Sequence, residues 1–215
     1  MKFFRHIVLL LTALVLLAAC DIEKLVDTPV GNWEVTSAQM VIKLSDGTTV
    51  RGTTNKELKD GLRTALEPKL NKFAFMALES ILDIGIFADE EKPIVPEGSA
   101  RMEFREDETL LVWTLEDGEW KISSSGEWSY AEGSMTIYLD SVIYNCTVDK
   151  LTNKRLFMSV AFPDWSTLIA GMGADDRVTR AWDDELGGDD MGALGELLSI
   201  LMGMQMSVDL QLKHL

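Results

Sequence analysis

Residues 204–213 alternate without a break. Met204, Met206, Val208, Leu210 and Leu212 fall on one side, and Gln205, Ser207, Asp209, Gln211 and Lys213 on the other. A side-chain period of two is the mark of a half-buried β-strand, and it commits the end of the chain to a sheet with one oily and one wet face. The same signal recurs upstream, where Ala100, Met102 and Phe104 alternate with Arg101, Glu103 and Arg105. Turn-rich breaks then divide the following residues into strands near 109–115, 120–123, 127–131, 134–140, 142–148 and 155–162, the spacing of an antiparallel meander. Near the start, 31–44 is rich in Trp, Val and Ile, Ser45-Asp46-Gly47 supplies turn chemistry, and 48–51 is β-branched, which reads as a hairpin. A last strand that returns to pair with the first closes the sheet into a barrel and removes its exposed edges.

Between the hairpin and the meander the period changes. Leu58, Leu62, Leu66, Leu70, Phe73, Ala77, Leu78, Ile81 and Leu82 recur at threes and fours, predicting a helical insertion over about 55–87. Asn55 can cap its start. Pro68 is tolerated only in a first turn or at a kink, so the insertion is two helices or one bent at Glu67. Phe73, Phe75, Met76 and Phe87 make it unusually aromatic, and packing against the sheet is the simplest use of that face. Residues 163–188 are acidic and contain glycine. Met191, Leu194, Leu197, Leu198 and Leu201 then predict a short helix before the last strand, weakened by Gly192 and Gly195.

The amino terminus carries an address. Lys2 and Arg5 precede an apolar run from Ile7 to Ala19, broken only by Thr12 and ended by Asp21. The run is too short for a bilayer span, which needs about 20 apolar residues, and fits a secretory signal. Its end, Leu17-Ala18-Ala19-Cys20, resembles the lipobox at which bacteria attach diacylglycerol to a cysteine sulfur and cleave before it. That resemblance implies a signal peptide over 1–19, a lipidated tether over 20–29, a single domain over 30–215, and a permanent membrane anchor of palmitate-like chains at Cys20.

Cleavage there leaves 196 residues, enough for one domain with a sizeable core. Loss of Lys2 and Arg5 leaves 18 basic residues against 35 acidic ones, a formal charge of −17. With no basic run longer than Lys154-Arg155, nucleic acid is excluded as a partner, and anionic lipid headgroups are disfavoured on the same ground. Cys146 becomes the only free thiol, so no intrachain disulfide forms, and its place among Val142, Tyr144 and Val148 suits a buried hydrophobe.

Gly31-Asn32-Trp33 is similar to the Gly-x-Trp start of lipocalins. Phe104-Arg105-Glu106-Asp107-Glu108-Thr109, followed by Gly126-Glu127-Trp128-Ser129-Tyr130, is similar to strands of lipocalin-like lipoproteins of the Bacteroidota. The resemblance covers about half of the chain after Cys20. It implies a mainly β fold, a small antiparallel meander barrel with helices inserted after the first hairpin, at the cell envelope and on the outer membrane. It also implies a structural pair at the barrel base, in which the ring of Trp33 lies under Lys213 as a cation–π contact.

Chemistry finds few residues. His6 leaves with the signal, so His214 is the only imidazole; the usual nucleophilic triad has no other base, and zinc lacks a ligand set. No cofactor and no metal site are expected. Asp175, Asp176, Asp183, Asp184, Glu185, Asp189 and Asp190 offer oxygen ligands for calcium but lack the spacing of an EF-hand loop; a solvated acidic loop is the simpler reading. Met202, Met204 and Met206 are soft enough for Cu(I), yet core packing explains them. Three functions stay open. The first is an anchored module holding a small apolar ligand, with Met102, Phe104, Trp113, Trp120 and Met158 as lining. The second is a non-catalytic envelope protein docking on a partner. The third is a carboxylate enzyme acting on an envelope glycan or peptide, for which no residues can be named.

Overall fold

The computed structural model describes residues 23–83, 91, 93–162, 199–200 and 203–215. Among these residues nine strands form one antiparallel sheet: β1 (Gly31–Lys43), β2 (Thr49–Gly52), β3 (Ala100–Phe104), β4 (Thr109–Glu116), β5 (Glu119–Ala131), β6 (Ser134–Leu139), β7 (Val142–Leu151), β8 (Arg155–Ala161) and β9 (Gln205–His214). From β3 onward each strand pairs with the next in sequence, and β9 returns to β1 along almost its whole length, from Trp33↔His214 to Lys43↔Gln205. The other edge of β1 is divided. Its first residues pair with β3 (Gly31↔Phe104 to Glu34↔Arg101) and its last with β2 (Met40↔Gly52 to Lys43↔Thr49). Eight strands therefore close into a barrel, with β2 as an added flap.

The expected alternation sets the inside. Trp33, Val35, Ala38, Met40 and Ile42 of β1 point inward with Met102 and Phe104, Leu110, Trp128, Met135 and Ile137, Cys146 and Val148, Leu156 and Met158, and Met206, Val208 and Leu212, all buried in one continuous cluster. Phe104 and Trp128 meet edge to face at 5.3 Å. A β-bulge between Val35 and Ser37 lets the long first strand curve around this core. An apolar interior with Glu, Lys, Ser and Asn on the outer wall is the reverse of a membrane-spanning barrel, whose outer face is the greasy one. No helix among the described residues is long and apolar enough to cross a membrane.

Three of the hairpins are as tight as a chain allows. Asp117-Gly118, Glu132-Gly133 and Asp140-Ser141 each place both loop residues at positive φ, the two-residue turn whose twist matches paired strands. The separate segments expected at 120–123 and 127–131 are one strand. The serines and Gly126 between them read as a break, yet they continue the ladder across a register shift after Val112. A Cβ at position 126 would collide with the Tyr138 carbonyl.

Among the described residues the insertion is two helices, α1 (Asn55–Leu66) and α2 (Lys72–Asp83), with Pro68 in the link; positions 84–87 of the expected span lie outside them. The cap of α1 is Thr54, one residue before Asn55: its hydroxyl accepts from the Glu57 amide at 3.2 Å while Glu57 accepts from the Thr53 amide at 2.6 Å. The pattern resembles a capping box with the return bond displaced by one residue, to the amide before the cap. Leu58, Leu62 and Leu66 of α1 and Ala74 and Leu78 of α2 join the barrel core. The short helix expected over 189–203 lies outside the described residues apart from a helical Ser199–Ile200 fragment and Gly203, as does the whole of the acidic 163–188 segment.

From Glu23 onward the tether expected over 20–29 is bonded to the barrel. Lys24 and Asn153 bond reciprocally, amide to side-chain oxygen at 2.9 Å and amide to carbonyl at 2.8 Å. Leu25 bridges to Thr152, whose hydroxyl donates to Glu23 at 2.8 Å, and Lys150 lies 3.1 Å from the same carboxylate. Residues 23–30 thus form a strap across one end of the barrel, here called the base, pinned to the β7–β8 turn.

Candidate functional site

The five residues expected to line one ligand site are divided by the pleat. Met102, Phe104 and Met158 point inward, between 1% and 9% exposed, and belong to the packed core. Trp113 and Trp120 lie outside. Cross-strand partners share a face, and Trp113 stands opposite Arg101 and Ile122 while Trp120 stands opposite Leu115, all on the outer wall. Three of the five are core packing, and a lining that combines all five inside the barrel is not what the fold builds.

The two outer tryptophans, with Asn32, Arg101, Glu103 and Leu215, line a groove of about 330 Å³ that runs up the wall over β1, β3, β4 and β5. Its side chains are fixed by one another. The Arg101 guanidinium lies 3.8 Å above the Trp120 ring, a cation–π contact, and donates to Glu34 at 3.0 and 3.2 Å. Trp113 donates its indole N–H to Glu103 at 3.3 Å, and Arg105 donates to the other carboxylate oxygen at 2.7 Å. That last bond, from the Glu103 carboxylate, raises the pKa of Arg105. The groove therefore has an aromatic floor and rim whose orientation is set before anything binds, with a carboxylate, an amide and a guanidinium along its edges. Leu115 and Ile122 continue the apolar surface beside it, 42% and 51% exposed.

Asn32, Arg101, Glu103 and Leu215 were not singled out by sequence. The alternation around Met102 does mark Arg101 and Glu103 as outward. The run Leu110-Leu111-Val112-Trp113, apolar throughout, does not disclose which face Trp113 takes, and the register shift after Val112 breaks the count.

The base pair is also different. Trp33 is buried and donates its indole N–H to the Pro29 carbonyl at 2.7 Å, but Lys213 points outward, opposite Glu34 on one side and Arg155 on the other. The ring against Trp33 is His214, edge to face at 4.9 Å. The imidazole is spent on packing at the base. Cys146 is equally remote from chemistry: burial alone pushes its thiol up to about 11, the behaviour of an inert core cysteine. Among the described residues no group of three or more His, Cys, Asp or Glu is placed to hold a metal ion; the acidic residues 175–190 lie outside them.

Comparison of the chain with protein-family models, curated proteins and solved structures finds no match.

Proposed function

We propose that the protein is a lipid-anchored binding module of the bacterial envelope, tethered through Cys20 to the outer membrane, that takes a small, flat, largely apolar ligand in the groove on its outer wall. The observation that carries the reading is the pre-set tryptophan pair: Trp113 is held by Glu103 and Trp120 by Arg101, so a ligand meets oriented aromatic surface at little ordering cost. The core inside the barrel is occupied by large side chains such as Trp33, Phe104, Met135 and Met158, which favours the wall over the interior. The lipobox supports the anchor, and the polar outer wall suits a domain that stands in water beside the membrane.

The test is direct. Envelope extracts are fractionated and titrated into the mature domain, with indole emission as the readout. A fraction should change the signal saturably in the wild type and fail to do so in Trp113→Ala and Trp120→Ala, whose melting is otherwise close to normal. Saturable binding left unchanged by both substitutions would remove the groove from consideration. Growth with radiolabelled palmitate should label the wild type but not Cys20→Ala. A second reading, docking of a partner protein on the same wall, is favoured by the exposed Leu115 and Ile122 beside the groove. Photocrosslinking from position 122 in cells distinguishes it, returning one protein band in place of a small adduct.

A further inference from the structure

The base of the barrel is electrically lopsided in a way the linear sequence hides. At the β7–β8 turn the strap brings Lys24 against Asn153, next to Lys154 and Arg155; Arg155 stands opposite Lys213 in the ladder, and Lys150 reaches Glu23. Five cations from three separate stretches of chain gather there, with Lys24, Arg155 and Lys213 exposed. The carboxylates in that sector are Glu23, already engaged by Lys150 and Thr152, Glu34, which stands opposite Lys213 but is engaged by Arg101, and Asp27 and Asp149. Leu25 stands out from the strap at 83% exposed. The β3–β4 turn also belongs to the base, because β3 ends where β1 begins. In the ring order β1, β3, β4, β5, β6, β7, β8, β9 the two turns are four strands apart, on opposite sides of an eight-stranded barrel. That second turn reads Arg105-Glu106-Asp107-Glu108, an excess of negative charge.

We infer that the protein rests on the phosphate layer of its membrane on the β7–β8–β9 side of the base, with Leu25 dipping into the headgroups, the acidic β3–β4 turn raised and the tryptophan groove facing away from the bilayer. This rests on acylation of Cys20, the reading given above. Chain length enforces the contact. Only Asp21 and Ile22 lie between Cys20 and the pinned Glu23, a reach of about 10 Å at full extension, so the point where the strap meets the β7–β8 turn cannot leave the surface. At that range the local charges decide the lean. The Debye length is about 8 Å at physiological ionic strength, so the acidic remainder of the molecule is largely screened, whereas Lys24, Arg155 and Lys213 meet headgroup phosphates directly. The opposite turn meets the same phosphates with like charge and is pushed off.

The full chain is expressed in a bacterial host that acylates lipobox cysteines, and intact mass establishes the acyl groups on Cys20. Gln211→Cys, on the outer face of β9, and Glu106→Cys, on the β3–β4 turn, are each labelled with a fluorophore; Cys146 is buried and stays unlabelled. Both proteins are placed in vesicles of equal parts phosphatidylethanolamine and phosphatidylglycerol doped with a headgroup nitroxide lipid. Quenching should be several-fold stronger at 211 than at 106. Combined Lys24→Glu, Arg155→Glu and Lys213→Glu substitutions should bring the two positions close to equality while leaving acylation and melting as they were. Equal quenching in the acylated wild type overturns the lean but leaves the anchor standing, and an asymmetry that survives charge reversal overturns the role of the cations. A mass without acyl groups removes the anchor and the lean together.

Discussion

The rings of Trp33 and His214 meet at right angles with their centroids 4.9 Å apart, and Gly31 sits so close beneath them that a Cβ there would overlap His214 Nε2. The Gly-x-Trp start of the first strand thus has a physical content in this chain. The glycine, at φ 140°, leaves space for an imidazole delivered by the last strand, and the tryptophan supplies the surface on which it packs.

Gly31→Ala should therefore destabilise the barrel by two routes: about 1–3 kcal/mol of backbone strain, plus the collision with His214. In a His214→Ala background the collision disappears and the strain stays. Urea denaturation of the four proteins in a double-mutant cycle should give a coupling of roughly 1 kcal/mol or more. Simple additivity would show that the ring and the glycine do not meet.

Ser141 carries φ 68° in the second position of the Asp140-Ser141 turn, where the two other tight hairpins have glycine. Relief of that left-handed conformation outweighs the entropy glycine adds to the unfolded chain, so Ser141→Gly should raise stability by roughly 0.5–1 kcal/mol. The equivalent change at exposed Ser129, in the middle of a strand, should lower it. Thermal melts of the two variants that moved in the same direction would contradict the turn assignment.

Much of this architecture is legible because alternation is a local property. The β9 sequence shows its faces unaided, and the next residue on its apolar side after Met204, Met206, Val208, Leu210 and Leu212 is His214. Continued by one step, the same count puts the imidazole in the barrel and Lys213 outside, where the ladder has them. What the resemblance suggested for Lys213 yields to that count. The groove was harder to read. It joins Asn32, Arg101, Glu103, Trp113, Trp120 and Leu215 from five places in the chain, and in β4 an unbroken apolar run conceals which tryptophan face meets water. The strap was hidden for a similar reason: Glu23 and Lys24 look like tether polarity until their partners Lys150, Thr152 and Asn153 are known.

Acid should loosen the junction between the first hairpin and the helices. A hydrogen bond from Lys69, reinforced by Thr48, lowers the Asp46 carboxyl to about 2 from an ordinary 3.8. Hydrogen bonds lower Glu57, from Thr53, in the same direction. A folded pKa below the unfolded one gives stability that is present above about pH 4 and lost as pH falls towards 2. Asp46→Asn should flatten the fall in urea midpoint across that window. A profile identical to the wild type would show the Asp46–Lys69 bond to be energetically silent.

Cys146 should act at the other end of the scale. Its thiol titrates near 11 in the fold against 9.0 when exposed. The folded chain then holds a proton that the unfolded chain releases, so stability should decline as pH rises from about 9 to 11. Cys146→Ala should lose this slope at the expense of a small cavity. In the native wild type at pH 8, maleimide should react at Cys146 only at the rate of unfolding, and rapid labelling would place the side chain outside the core.

Thr152 holds the strap and the β7–β8 turn together through one hydroxyl. Its oxygen accepts from the Arg155 amide at 2.9 Å and the Lys154 amide at 3.3 Å, and its proton goes to Glu23 at 2.8 Å. The residue is 3% exposed, so Thr152→Val keeps the shape while taking the hydroxyl acceptor from two amides and leaving Glu23 with Lys150 alone, which should lower stability. Hydrogen bonds lower the pKa of Glu23, first from Thr152 and then from Lys150, and the carboxylate should move back towards its ordinary value in the variant. The decisive readout is local. Limited trypsin digestion of the mature chain should cut after Lys24 faster in Thr152→Val than in the wild type, while Thr147→Val, on the exposed face of β7, changes nothing. Because the strap fixes how far the barrel stands from Cys20, the same variant in vesicles should weaken the difference in quenching between positions 211 and 106. Unchanged cleavage after Lys24 would mean that the barrel holds the strap by other contacts.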